Sequence, residues 1–105
     1  RPARYGKQLA GHMGHKITAV WDEENATGSL EFNREGPTTG IVELSCDGEA
    51  LVLRLSTTEE HLERLEEVVG IHLARFGAKQ GMVVRWDRGD GTPGTTQGPV
   101  TPGER

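Results

Sequence analysis

The stretch that decides the fold is TTEEHLERLEEVVGIHLARF, residues 57–76. Leu62, Leu65, Val69, Leu73 and Phe76 recur at spacings of three and four, which on a helix gathers them into one apolar stripe about 100° wide. Ser56, Thr57 and Thr58 precede Glu59 and Glu60, so a Ser/Thr-x-x-Glu capping box is available in two registers and the carboxylates suit the positive end of the helix dipole. Gly77 is the natural stop. The spacing predicts a helix over 57–76, with the rest of the chain folded to cover its apolar side.

Upstream, Pro2 to Gly14 places Tyr5, Leu9, His12 and Met13 at helical spacing, with Pro2 tolerated in a first turn and Gly14 as terminator. Gly6 and Gly11 each cost such a helix roughly 1 kcal/mol against alanine, so it depends on packing. From Lys16 the period changes to two. Ile17, Ala19 and Trp21 alternate with Thr18, Val20 and Asp22, and after a polar turn Leu30 and Phe32 alternate with Ser29, Glu31 and Asn33. A Gly/Pro/Thr stretch leads to a third strand with Val42, Leu44 and Cys46 on one face. Asp47-Gly48 marks a turn, and Leu51, Leu53 and Leu55 form the inward side of a fourth strand. Beyond the long helix, Met82, Val84 and Trp86 predict a fifth. The expected architecture is an α+β two-layer sandwich in the order α-β-β-β-β-α-β: a mainly antiparallel five-stranded sheet with two helices on one face. Residues 1–87 are expected to form a single domain, and 88–105, rich in Gly, Pro and Thr, a disordered tail. The Arg88-Gly89-Asp90 triplet matches an integrin-binding tripeptide, a match short enough to arise by chance.

The composition narrows the function. A chain of 105 residues with net charge −4 and a pI near 5.5, its Lys and Arg dispersed, is unsuited to phosphate backbones, so no nucleic-acid partner is expected. One cysteine, Cys46, excludes an internal disulfide and fits a reducing compartment. No apolar run reaches membrane-spanning length and no signal-peptide pattern opens the chain, so the expected setting is cytoplasmic, with no membrane partner. Gly-rich phosphate loops, Ser-nucleophile motifs and CxxC pairs are all missing, which weighs against covalent and phosphoryl-transfer enzymes.

Histidine is the candidate chemistry. His12 and His15 are three apart and share a face if the first helix runs through both, close enough to chelate one ion. His72 sits at the edge of the long helix's apolar stripe and could join them if the helices pack about 8–10 Å apart. Glu66 or Glu67 could add a carboxylate. The alternative is that His12 and His72 are interface histidines satisfied at their polar tips. His61 and the Glu59–Glu67 carboxylates read as a solvated face. Val20, Val52, Val83 and Ile71 fall on faces assigned to solvent, and the three valines could form an apolar patch for a protein partner or a second copy.

Two stretches carry a resemblance: Arg4-Tyr5-x-Lys7-Gln8-Leu9-x-x-His12-x-x-His15-Lys16 before an alternating strand, and Leu65-Glu66-x-Val68-Val69-x-x-His72-Leu73-x-Arg75-Phe76 before a strand ending in Trp86. Together they resemble the bacterial domain-of-unknown-function family 2218 over about residues 3–87, with Gly6 standing where that family usually has leucine. The resemblance implies a small bacterial domain with an α+β layer similar to TATA-binding-protein-like domains. It also implies motif histidines at His12, His15 and His72, and, from the neighbourhood of such genes in some genomes, a link to iron or siderophore metabolism. The resulting expectation is a binding or accessory module with no assigned catalytic residue. Its ligand site would comprise Tyr5, Lys7, Gln8, His12, His15, His72 and Arg75, with a metal ion, haem or siderophore as ligand. The competing expectation is an interaction or dimerisation module using the exposed sheet face, with structural histidines. An enzyme ranks third.

Overall fold

The computed structural model describes residues 1–101 and is α+β. The order is α1 (Pro2–Met13), β1 (Thr18–Asp22), β2 (Thr27–Phe32), β3 (Gly40–Asp47), β4 (Ala50–Thr57), α2 (Glu59–Phe76), a 3-10 turn (Ala78–Gln80), β5 (Val84–Asp87) and β6 (Pro93–Gln97). The chain divides into two compact units, Arg1–Thr58 and the residues from Glu59 onward.

In the first unit β1 to β4 form an antiparallel meander, in the order β1-β2-β3-β4. Its turns follow local chemistry. The Asp22 carboxylate accepts the amides of Glu24 and Asn25 and the Asn25 side-chain amide, and Gly48 supplies φ 62° in the two-residue loop between the paired Asp47 and Ala50. The inner face is built in cross-strand rows. Ala19, Leu30, Val42 and Leu55 make one and Trp21, Gly28, Leu44 and Leu53 the next, with Leu30, Val42 and Leu44 buried. Helix α1 lies across all four strands and buries Gly6, Leu9, Ala10 and Met13, spaced i, i+3, i+4, i+7. The Trp21 indole lies between two glycines: a Cβ at Gly6 would come within 2.7 Å of its ring, and one at Gly28 within 2.7 Å. Gly6 therefore sets how closely helix and sheet approach, where the sequence suggests only a loosened helix.

The second unit packs α2 against a β5–β6 hairpin. This departs from the expected five-stranded sheet: β5 pairs with β6 in a sheet of its own. It also departs from the expected disordered tail, since Pro93–Gln97 is a strand and Gln97 is buried. The strand was hidden because polar groups hold it, with no alternating apolar side chains, while Pro93 is acceptable at a strand's first residue. The rest of that expectation, at 102–105, lies outside the described residues.

The departure has a second signature in α2. Besides the anticipated Leu65, Val69 and Leu73, the helix buries Glu66, Gly70 and Ala74, a ridge at i, i+4, i+8. A Cβ on Gly70 would lie 1.9 Å from the Gln97 Oε1 and one on Gly98 3.0 Å from the Ala74 Cβ, so β6 runs along a groove of small residues. The expected helix start at Thr57 moves to Glu59, because Thr57 ends β4 and its hydroxyl donates to the Thr39 carbonyl at 2.6 Å.

Candidate functional site

Helix α1 ends at Met13. His12 is therefore in its last turn and His15 in the turn that follows, its amide donating to the His12 carbonyl at 3.4 Å. Both histidines are exposed. His12 is not the seam residue its spacing suggests, because Gly6 and Ala10, small enough to escape a hydrophobic pattern, shift the buried stripe away from it. Tyr5 is half-buried, while Gln8 and Lys7 are exposed. The Lys7 ammonium pairs with Glu23 at 3.0 Å, with both side chains about two-thirds exposed, a pair of little energetic weight.

The other two candidates belong to the second unit. His72 is half-buried and its Nδ1 lies 2.7 Å from the Val68 carbonyl, a bond that fixes the ring against its own helix and places the proton on Nδ1. Arg75 is exposed. Tyr5, His12 and His72 all have partners. Among the described residues no group of three or more His, Cys, Asp or Glu side chains is gathered so as to hold a metal ion. His61, expected in solvent, is half-buried.

The outer face of the meander, opposite α1, carries Val20, 56% exposed, and Ile41, 42% exposed. Its rows are Val20–Ser29–Glu43–Arg54 and Thr18–Glu31–Ile41–Ser56, so Glu43 and Arg54 pair across strands. Of the three valines expected to form a patch, Val20 and Val52 lie on this sheet and Val83 does not. Val52 is half-buried on β4, three strand spacings or roughly 14 Å from β1, and Val83 belongs to the second unit. Ile41 is the apolar side chain that extends this face.

A polar network escaped the sequence reading altogether. Glu66, placed there on a solvated face, is 1% exposed. Its Oε2 accepts from the Arg88 Nε at 3.2 Å and its Oε1 from the Arg88 Nη2 at 3.1 Å, the Thr95 amide at 3.2 Å and the Thr95 hydroxyl at 2.9 Å. The Thr95 Oγ1 in turn accepts from Gln97, whose Oε1 accepts from the Trp86 indole at 2.8 Å. Burial pushes the Glu66 carboxyl up, but the hydrogen bonds from Arg88 and Thr95 and the Arg88 charge outweigh it, and the group is held below its ordinary 4.5. Arg88 is correspondingly raised, chiefly by its hydrogen bond to Glu66. Asp90 is lowered by the Thr92 hydroxyl and amide that it accepts within its own turn. Both charged ends of Arg88-Gly89-Asp90 are thus used internally. The available signal was a glycine in mid-helix four residues after Glu66, which marks close approach by another segment.

A family model, DUF2218, described as an uncharacterized protein conserved in bacteria, matches residues 1–87. The chain belongs to the DUF2218 family. The match runs from α1 through β5 and stops before Arg88, so the DUF2218 region contains Glu66 and Trp86 but not Arg88, Thr95 or Gln97. Searches of curated proteins and of solved structures returned no match. No helix among the described residues of this DUF2218 chain is long and apolar enough to cross a membrane.

Proposed function

We propose that this DUF2218 domain is a binding module that recognises protein through the outer face of its four-stranded sheet, acting in a cytoplasmic setting. One observation carries this reading: with α1 covering the inner face, the opposite face presents Val20 and Ile41 to solvent amid polar and charged neighbours, the composition of a contact patch with a polar surround. The half-buried single cysteine is in keeping with a reducing compartment. The helix, four-strand meander and helix order is the part of a TATA-binding-protein-like layer that belongs to this reading.

A histidine-centred function is the second reading, with metal, haem or siderophore bound through His12, His15 and His72 beside Tyr5, Lys7, Gln8 and Arg75. What favours it is the His72 Nδ1 bond to the Val68 carbonyl, the kind of contact that orients metal-binding imidazoles. The described side chains do not gather a three-donor set, so the outer face ranks first.

NMR of the isotope-labelled chain separates the two. The first reading expects amide and methyl signals around Val20 and Ile41 to shift or broaden with protein concentration or partner, and the four imidazoles to stay fixed when zinc or ferrous iron is added. Stoichiometric metal shifts of His12, His15 and His72 together, with His61 unaffected, would reverse the ranking.

A further inference from the structure

The inference deepens the outer-face reading and rests on it, by naming the partner. β1 is an end strand of the meander. The Thr18 amide donates to the Asn33 side chain on the β2 side, and the Val20 carbonyl points the same way, 2.6 Å from where a Cβ on Gly28 would stand. By strand alternation the N–H and C=O groups of Ala19 and Trp21 face the open edge. Among the described residues, no backbone hydrogen bond outside the helices and strands reaches either residue. The edge also lacks the usual devices against pairing: β1 contains no proline and its register no bulge, and its one charge, Asp22, stands at the strand end on the outer face.

We propose that two copies of this chain pair antiparallel through β1, with Val20 opposite its counterpart about a two-fold axis. Self-complementarity argues for a second copy as the occupant. In this register Ala19 of each copy lies opposite Trp21 of the other, so the outward backbone groups meet in hydrogen-bonded pairs and a small side chain faces a large one. The two Val20 side chains, the most exposed large hydrophobics among the described residues, close on each other at the non-hydrogen-bonded position. Beyond the strand ends the register sets Lys16 against Glu24 twice, opposite charges by symmetry. Five-residue edges make a small interface, so the dissociation constant is expected between roughly 10 µM and 1 mM.

Sedimentation equilibrium of the full chain from about 10 µM to 1 mM, the range set by that expected affinity, tests this. The wild type should pass from monomer to dimer. Val20→Lys, which opposes two ammonium groups, should remain monomeric. Lys16→Glu and Glu24→Lys should each weaken the dimer about tenfold, through two like-charge contacts, and the double swap should restore it. These exposed positions allow the fold to be verified by far-ultraviolet circular dichroism, and the rescue does not depend on Val20. A Val20→Lys dimer of unchanged affinity, or no rescue by the swap, overturns the β1 pairing. If Ile41→Lys then breaks that dimer, the outer-face reading survives without the edge; a wild type monomeric throughout overturns the self-association.

Discussion

Glu66→Gln removes one charge from the most buried ionisable side chain among the described residues while nearly preserving its shape. Four hydrogen bonds enter the carboxylate, two from Arg88 and two from Thr95. An amide keeps one oxygen for Thr95 and turns an –NH2 toward a guanidinium that can only donate. Hydrogen bonds to a charged group are worth about 1.5–3 kcal/mol and neutral ones about 1. Loss of the charge-assisted pair and of one acceptor should therefore cost about 2–4 kcal/mol, a large share of the roughly 5–15 kcal/mol that holds a domain of this size. With a urea slope of about 1–3 kcal/mol per molar, the midpoint should fall by roughly 0.7–4 M at neutral pH. The sign of the pH dependence follows from the lowered Glu66 pKa. The contribution is fully present above the ordinary value of 4.5 and is lost as pH falls through the depressed folded value. Wild type and variant curves should accordingly converge in acid. Equal midpoints at pH 7, or a gap unchanged between pH 7 and pH 2, would refute the argument that the charge pair anchors the hairpin.

Two glycines give sharper steric tests. Gly6→Leu should drive a side chain into the Trp21 ring, whose atoms stand 2.7 and 2.8 Å from the new Cβ; about 1–3 kcal/mol of destabilisation is expected by thermal or urea unfolding, with Trp21→Ala in the same chain recovering part of it. Gly70→Ala should raise intrinsic helix stability by about 1 kcal/mol yet destabilise the protein, because the Gln97 Oε1 occupies the space of the new methyl. Loss of the Trp86 indole N–H protection in hydrogen exchange would localise that damage to the Gln97 bond.

Where apolar side chains carry the packing, the fold was legible. α1, the four strands of the meander and α2 were all readable from periods of 3.6 and 2, and the Asp47-Gly48 turn from its dipeptide. What was missed is held by groups that leave no hydrophobic period. β6 adheres through Thr95 and Gln97, Glu66 is buried because Arg88 reaches it from 22 residues away, and the stripe of α1 is read wrongly once Gly6 counts as a gap instead of a contact. The candidate site was legible only in part for the same reason. Spacing can place His12 and His15 near one another, but not decide that the helix stops between them at Met13, nor that Ile41 rather than Val52 extends the exposed face.

The Glu66–Arg88 pair also bears on where this domain ends. The match to the family model closes at residue 87, one position before the guanidinium that answers a carboxylate buried inside the matched segment. A boundary drawn by recurrence and a boundary drawn by charge neutrality therefore do not coincide in this chain. A polypeptide stopped at Asp87 would keep the acid and discard its counter-ion, along with the two Thr95 donors.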